Sequence, residues 1–144
     1  QQHCSFAARG GPWPPHCVAD THGAAFSDAL RLPPDAIVVS KAVTEAEDAY
    51  SAFNGTGLAR SMRADGITRL AVCGLALDYC VLNTVLDGVD AGFEVLLALD
   101  ATRPVEVAPG DGDRALARML ARGAVPVSLS GGHLIADPKL GARL

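Results

Sequence analysis

A handful of polar side chains in this 144-residue chain could do chemistry, and their spacing narrows which chemistry. Cys80 stands in the first turn of a helix expected over 79–91, where Val81, Leu82, Val85, Leu86 and Val89 form one apolar stripe. Backbone N–H groups in a first turn lack intrahelical partners, and the helix dipole is positive there. Both favour thiolate over thiol, which makes a sulfur nucleophile available near neutrality. Lys41 follows a short β-branched run, and an ammonium near Cys80 would favour the thiolate further. Asp100 closes a third apolar run at the same expected edge. Each residue also has a plainer role. Free cysteine is commonly a small buried hydrophobe, a lysine at a strand end is commonly solvated, and an aspartate after a strand commonly caps the next turn. Cys73, inside an apolar run, reads as core.

Residues 1–35 carry a second set: His3, Cys4, Trp13, His16, Cys17 and His22. Imidazole suits zinc, iron or manganese. The spacing of His3, Cys4, His16 and Cys17 matches no compact zinc finger. His3 and His16 as two ligands of an open site, or as loop histidines without a ligand, are the readings left open. Trp13, the only tryptophan, is either a lid over the core or a wall on which a flat ring could stack.

The pattern of the chain also sets the elements that must position these groups. Glycine and proline punctuate residues 1–35 too densely for long helices or strands. A loop region of that length in a compact domain is usually functional. From residue 36 the pattern is regular. Strands are expected at 36–40, 69–74, 94–99 and, at the sheet edge because of Pro126, 125–129. Helices are expected at 55–64, 79–91 and 113–122, and 130–144 is a tail without a clear pattern. Alternating strands and helices imply an α/β domain of three layers, α/β/α, with a mainly parallel sheet and one domain over 1–144. Ligands of such sheets bind beyond the carboxyl ends of the strands, where Lys41, Cys80 and Asp100 are expected to gather.

Composition bounds the function classes. Hydrophobic residues make up 49%, and 12 Lys and Arg against 16 Asp and Glu give a formal charge of −4. Such a chain is not intrinsically disordered, and no run approaches the length of a membrane helix. Scattered basic residues and a mildly acidic balance argue against nucleic acid or an anionic membrane as partner. Four cysteines are too few for a disulfide scaffold, so reduced thiols in a cytoplasmic setting are expected. No glycine-rich phosphate loop opens any expected helix, which argues against a nucleotide-binding protein.

Three ordered segments resemble a known family. Trp13 to Val18 (WPPHCV) with Thr21 to Phe26 (THGAAF), Lys41 with Asp48 to Phe53 (DAYSAF), and Gly74 to Val81 (GLALDYCV) with Thr84 and Asp87 are similar to the motifs of the isochorismatase-like cysteine hydrolases. Within that group the WPPHC segment resembles the nicotinamidases (pyrazinamidases). The resemblance implies a Rossmann-like fold. It implies hydrolysis of nicotinamide, a small-molecule amide, to nicotinate and ammonia through a cysteine thioester, within pyridine nucleotide metabolism. It implies Cys80 as nucleophile and Lys41 as the triad lysine. It places an oxyanion hole at the N–H groups of Ala76 and Cys80, with a cis bond between Leu75 and Ala76. Trp13, Tyr79 and Leu75 would line the substrate, and His3 and His16 would ligate a divalent metal ion (zinc, iron or manganese).

The departures from the family pattern are also specific. The family triad opens with an aspartate on a first strand ending Asp-x-Gln, and its metal site takes an Asp and a His just upstream of the position of His3. The 144 residues hold no Asp-x-Gln, and Gln1 and Gln2 precede His3. The chain therefore reads as a member whose N-terminal strand is missing, with impaired activity and a weakened metal site. Ala42 stands for the usual glycine after the lysine, and Leu77 for a frequent threonine. A missing strand would expose a sheet edge, which leaves a homo-oligomer open. A related hydrolase of another small amide or carbamoyl substrate, and a non-catalytic remnant, are the alternative readings.

Overall fold

The computed structural model describes residues 3–136. The chain divides into two compact units, 1–49 and 50–144, each with its own interior.

The first unit is mostly irregular, with two short 3₁₀ turns at Ala7–Arg9 and His22–Ala24. Its centre is Phe6, which is buried beside Ser5. Trp13 brackets Phe6 through its backbone: its N–H donates to Ser5 O at 3.0 Å, and its O accepts the Ala7 N–H at 2.6 Å. The strand expected at 36–40 does not form. Ile37 and Val38 are 84% and 61% exposed. β-branched residues favour a strand only where a pleated neighbour receives them, and among the described residues no ladder takes this run.

The second unit is the α/β part. Helix α1 spans Leu58–Ala64, strand β1 Arg69–Leu75, helix α2 Leu82–Asp90, strand β2 Glu94–Arg103, helix α3 Asp111–Ala121, strand β3 Val125–Ser130 and strand β4 His133–Ala136. The sheet order is β1-β2-β3-β4. The first three strands are parallel, and β4 returns antiparallel on β3. This mainly parallel sheet with helical crossovers is the expected α/β class. β3 is not the edge strand that Pro126 suggested, because β4 covers it. Pro126 lies opposite Leu97 of β2 and just ahead of the first β3–β4 pair, Val127 with Ala136, so its missing N–H interrupts no β3–β4 pair among the described residues.

One core joins the elements. Val85 of α2, Leu97 of β2 and Met119 of α3 are each fully buried within it. The apolar stripe read from residues 81–89 is the face that packs there, through Val81, Leu82 and Val85. No helix among the described residues is long and apolar enough to cross a membrane.

Candidate active site

The carboxyl end of β1 is irregular, and the irregularity aims the turn beyond it. Up to Val72 the strand pairs with β2 residue for residue. Then Val72 faces Leu97 while Gly74 faces Thr102, so two steps on β1 meet five on β2. The Thr102 hydroxyl, buried, donates to Gly74 O at 2.7 Å and holds the bend. Gly74 has φ +106°, a conformation that favours glycine. The next peptide bond, Leu75–Ala76, is cis, as the resemblance implied.

Beyond it, Leu77–Val81 forms one π-helical turn that runs straight into α2. Leu77 and Val81 are the buried ends of the turn, and Asp78, Tyr79 and Cys80 lie half-buried between them. The helical path thus starts at Leu77, and Cys80 is its fourth residue rather than its second. Cys80 still stands past the end of a parallel strand, at a helix start. The N–H groups of Tyr79 and Val81 both donate to Ala76 O, at 3.1 and 2.9 Å, so Ala76 anchors the turn. Tyr79 packs against Tyr50, with ring centroids 5.7 Å apart. Burial, then the negative charges of Asp111 and Asp78, push its phenol above the ordinary tyrosine value. Leu75 is 74% exposed.

The lysine segment divides. Ala52 N–H donates to Thr84 Oγ1 of α2 at 2.9 Å, and Phe53 stacks on Phe93. Those residues belong to the second unit. Lys41 lies in the first, in coil, where its ammonium donates to Ala49 O at 2.8 Å. The strand expected to deliver Lys41 to the sheet edge does not form. Ala42, at the family's glycine position, takes φ +50°, a conformation costing a non-glycine residue about 1 kcal/mol. Asp100 does not cap a turn. β2 continues through it to Arg103, and its carboxylate accepts the Leu129 N–H at 2.8 Å, extending the link to β3.

His3 and His16 both pack on Phe6, with ring centroids 5.9 and 5.5 Å from it, and Trp13 meets His16 edge-on. Both nitrogens of His3 are engaged: Nδ1 with Ser5 Oγ at 2.7 Å, and Nε2 donating to Glu47 O at 3.1 Å. His16 Nδ1 donates to Pro14 O at 2.8 Å. Among the described residues no three of His, Cys, Asp and Glu converge on one point. A zinc site takes three or four protein ligands, and His3 and His16 would supply two of them. All four cysteines are free thiols.

Two further carboxylates, which the sequence pattern does not mark, organise the strand ends. Asp78 accepts the N–H groups of Val105 and Glu106, at 2.9 and 3.0 Å. Glu106 in turn accepts those of Gly110 and Gly112, at 2.9 and 2.7 Å, which satisfies the start of α3. A Glu several residues ahead of a helix start is too weak a signal to find this role from sequence. Beside this network a cleft of about 260 Å³ opens, with Asp78, Tyr79, Leu82, Arg114 and Arg118 among its walls.

Residues 1–130 match the isochorismatase domain. The chain belongs to that family. This isochorismatase-family chain is 39% identical over 124 residues to the nicotinamidase of Escherichia coli (strain K12), an alignment covering 82% of this chain and 58% of that one. It thus spans little more than half the length of that relative. The pyrazinamidase of Pyrococcus horikoshii, solved in complex with zinc, superposes with a TM-score of 0.83 at 46% identity, covering 90% of this chain and 70% of that chain. An L. infantum protein solved in complex with nicotinate gives a TM-score of 0.81 at 37% identity, covering 88% and 66%. The family match spans all three sequence motifs.

Proposed function

We propose that this chain carries the nucleophile of a nicotinamidase-type amidohydrolase, which opens the carboxamide of nicotinamide or pyrazinamide to the acid and ammonia. The observation that carries the proposal is the placement of Cys80. It lies past the carboxyl end of a parallel strand, at a helix start, within a segment matching relatives that are nicotinamidases. In this reading the Cys80 thiol adds to the amide carbon, its proton passes to the amide nitrogen, and the C–N bond of the tetrahedral intermediate breaks to release ammonia. Water then hydrolyses the thioester to nicotinate and frees the sulfur. The N–H groups of Ala76 and Cys80 face the developing oxyanion, the largest single help in such chemistry. Lys41 is the ammonium of the triad. Trp13, Tyr79 and Leu75 hold the ring of the substrate. A cytoplasmic setting belongs to the same reading.

His3 and His16 are proposed donors to a divalent ion, on the strength of their imidazoles and of the zinc bound by the Pyrococcus relative. His3 would have to release Glu47 to serve.

Ammonia release from nicotinamide, pyrazinamide and an N-carbamoyl amine tests the reading. Cleavage of the two heteroaryl amides, abolished by Cys80→Ala, supports it. Preference for the carbamoyl substrate would place the protein with another amide specificity. Because the 144 residues hold no Asp-x-Gln, the chain assayed by itself is expected to be slower than the Escherichia coli relative. The expected deficit is about 10²–10⁴, the factor a general acid–base contributes. Cleavage at the relative's rate would overturn that expectation.

A further inference from the structure

We infer that Asp78 is a positioning residue for Cys80: its carboxylate latches the cysteine-bearing turn to the loop after β2. The inference rests on the nucleophile reading of Cys80. The turn Leu77–Val81 is fixed in the core at its two ends. Between those ends the Asp78 side chain ties it down, with one oxygen on the Val105 N–H and the other on the Glu106 N–H. Hydrogen bonds from backbone N–H to an ionised carboxylate are among the stronger kinds. Two of them on consecutive residues set the tilt of the turn as well as its distance from the loop.

The loop is itself held. Glu106 has φ +58°, a left-handed conformation that glutamate rarely adopts. Such conformations persist where the surroundings over-determine them, and they cluster at functional sites. Here the N–H of Glu106 is taken by Asp78 and its carboxylate by Gly110 and Gly112. A Cβ on Gly112 would stand 2.7 Å from Glu106 Oε1 and 2.9 Å from a Pro104 carbon, so the fit leaves no slack. The path runs from the start of α3, through Glu106, to Asp78, two positions before Cys80. It links the carboxyl ends of two neighbouring parallel strands. The sulfur is presented by a turn whose orientation three elements share.

The sign of the charge effect makes the proposal testable. Removing a negative charge two residues from a thiol favours its thiolate, so Asp78→Asn acting through charge alone speeds alkylation of Cys80. Loss of the latch acts the other way, because the turn that presents the sulfur is no longer held to the loop after β2. Alkylation of the 144-residue protein by iodoacetamide is followed residue by residue by peptide mass mapping. Exposed Cys73 is the internal reference, and thermal melting reports the fold of each variant. Asp78→Asn is expected to slow Cys80 about threefold to tenfold relative to Cys73. Asp78→Ala, which keeps neither acceptor, is expected to slow it more than Asp78→Asn, which keeps one. Should the Asp78 variants not fold, Glu106→Gln, which leaves the charge beside Cys80 intact, is expected to lower the same ratio. A fast wild-type Cys80 whose rate the folded variants leave unchanged or raise overturns the latch alone. A wild-type Cys80 no faster than Cys73 overturns the nucleophile reading and the latch with it.

Discussion

At the scale of single residues, Asp111 shows how two near neighbours act on one carboxylate. Its carboxylate accepts the Ala108 N–H at 2.7 Å and pairs with Arg114 at 2.6 Å. The backbone bond first, and the guanidinium second, hold its pKa below the ordinary aspartate value. A carboxylate stabilised in the folded state contributes stability above its unfolded value, and the contribution fades as pH falls through the folded value. Arg114 is well exposed, so solvent screens the pair and the effect is small. Melting temperatures of the wild type and Asp111→Asn are therefore expected to differ modestly near neutral pH and to converge as pH falls below the ordinary aspartate range. A gap that persists unchanged into acid would show that Asp111 acts through packing instead. The place of Cys80 past a strand end is legible in the sequence, because its neighbours announce a strand, a turn and an amphipathic helix within about twenty residues. The bonds of Asp100 and Asp78 are not, because their partners, Leu129 and the pair Val105–Glu106, lie more than 25 positions away.

At the scale of elements, the helices and central strands stood where their hydrophobic periods put them, and boundaries moved by a few residues. β2 runs four residues past its expected end, because Thr102 and Arg103 find partners on β1. The failure at 36–40 has the opposite cause. A run of Ile and Val states a preference for a strand, but a strand exists only with a neighbour, which one short window of sequence cannot supply. The junction of the β2–α3 loop with α3 offers a test of how tightly elements are fitted. Gly112 sits in the first turn of α3, buried under Pro104 and Glu106. A methyl group there must displace a proline ring and a carboxylate that caps the helix. Gly112→Ala, although alanine is the better helix former, is expected to destabilise the protein by about 1–3 kcal/mol, the usual cost of overpacking. Urea unfolding followed by far-ultraviolet circular dichroism measures it, and an alanine variant at least as stable as the wild type would show that the loop yields.

At the scale of the whole molecule, both units expose large apolar side chains. The second unit seals Leu97, Met119 and Val85 in one core and leaves Leu75 and Val107 more than 60% exposed. The first leaves Phe26, Ile37, Val38 and Val43 each more than 60% exposed. Single exposed hydrophobes are ordinary, but an exposed β-branched run with few charges is a site at which chains pair. The run Ala36-Ile-Val-Val-Ser holds no charge, and Asp35 and Lys41 flank it. A net charge of −4 on the whole chain gives only weak repulsion against such pairing at physiological ionic strength. The 144-residue protein is therefore expected to self-associate as its concentration rises, and the double variant Ile37→Lys, Val38→Lys to suppress this. Two added charges on an exposed run touch nothing in the core, so the melting of the second unit should be unaltered. Sedimentation velocity over a hundredfold range of concentration, about micromolar to tenth-millimolar, separates the outcomes. A wild type that stays monomeric throughout would mean that the run is masked within its own chain. Association that the two lysines leave undiminished would move the interface elsewhere.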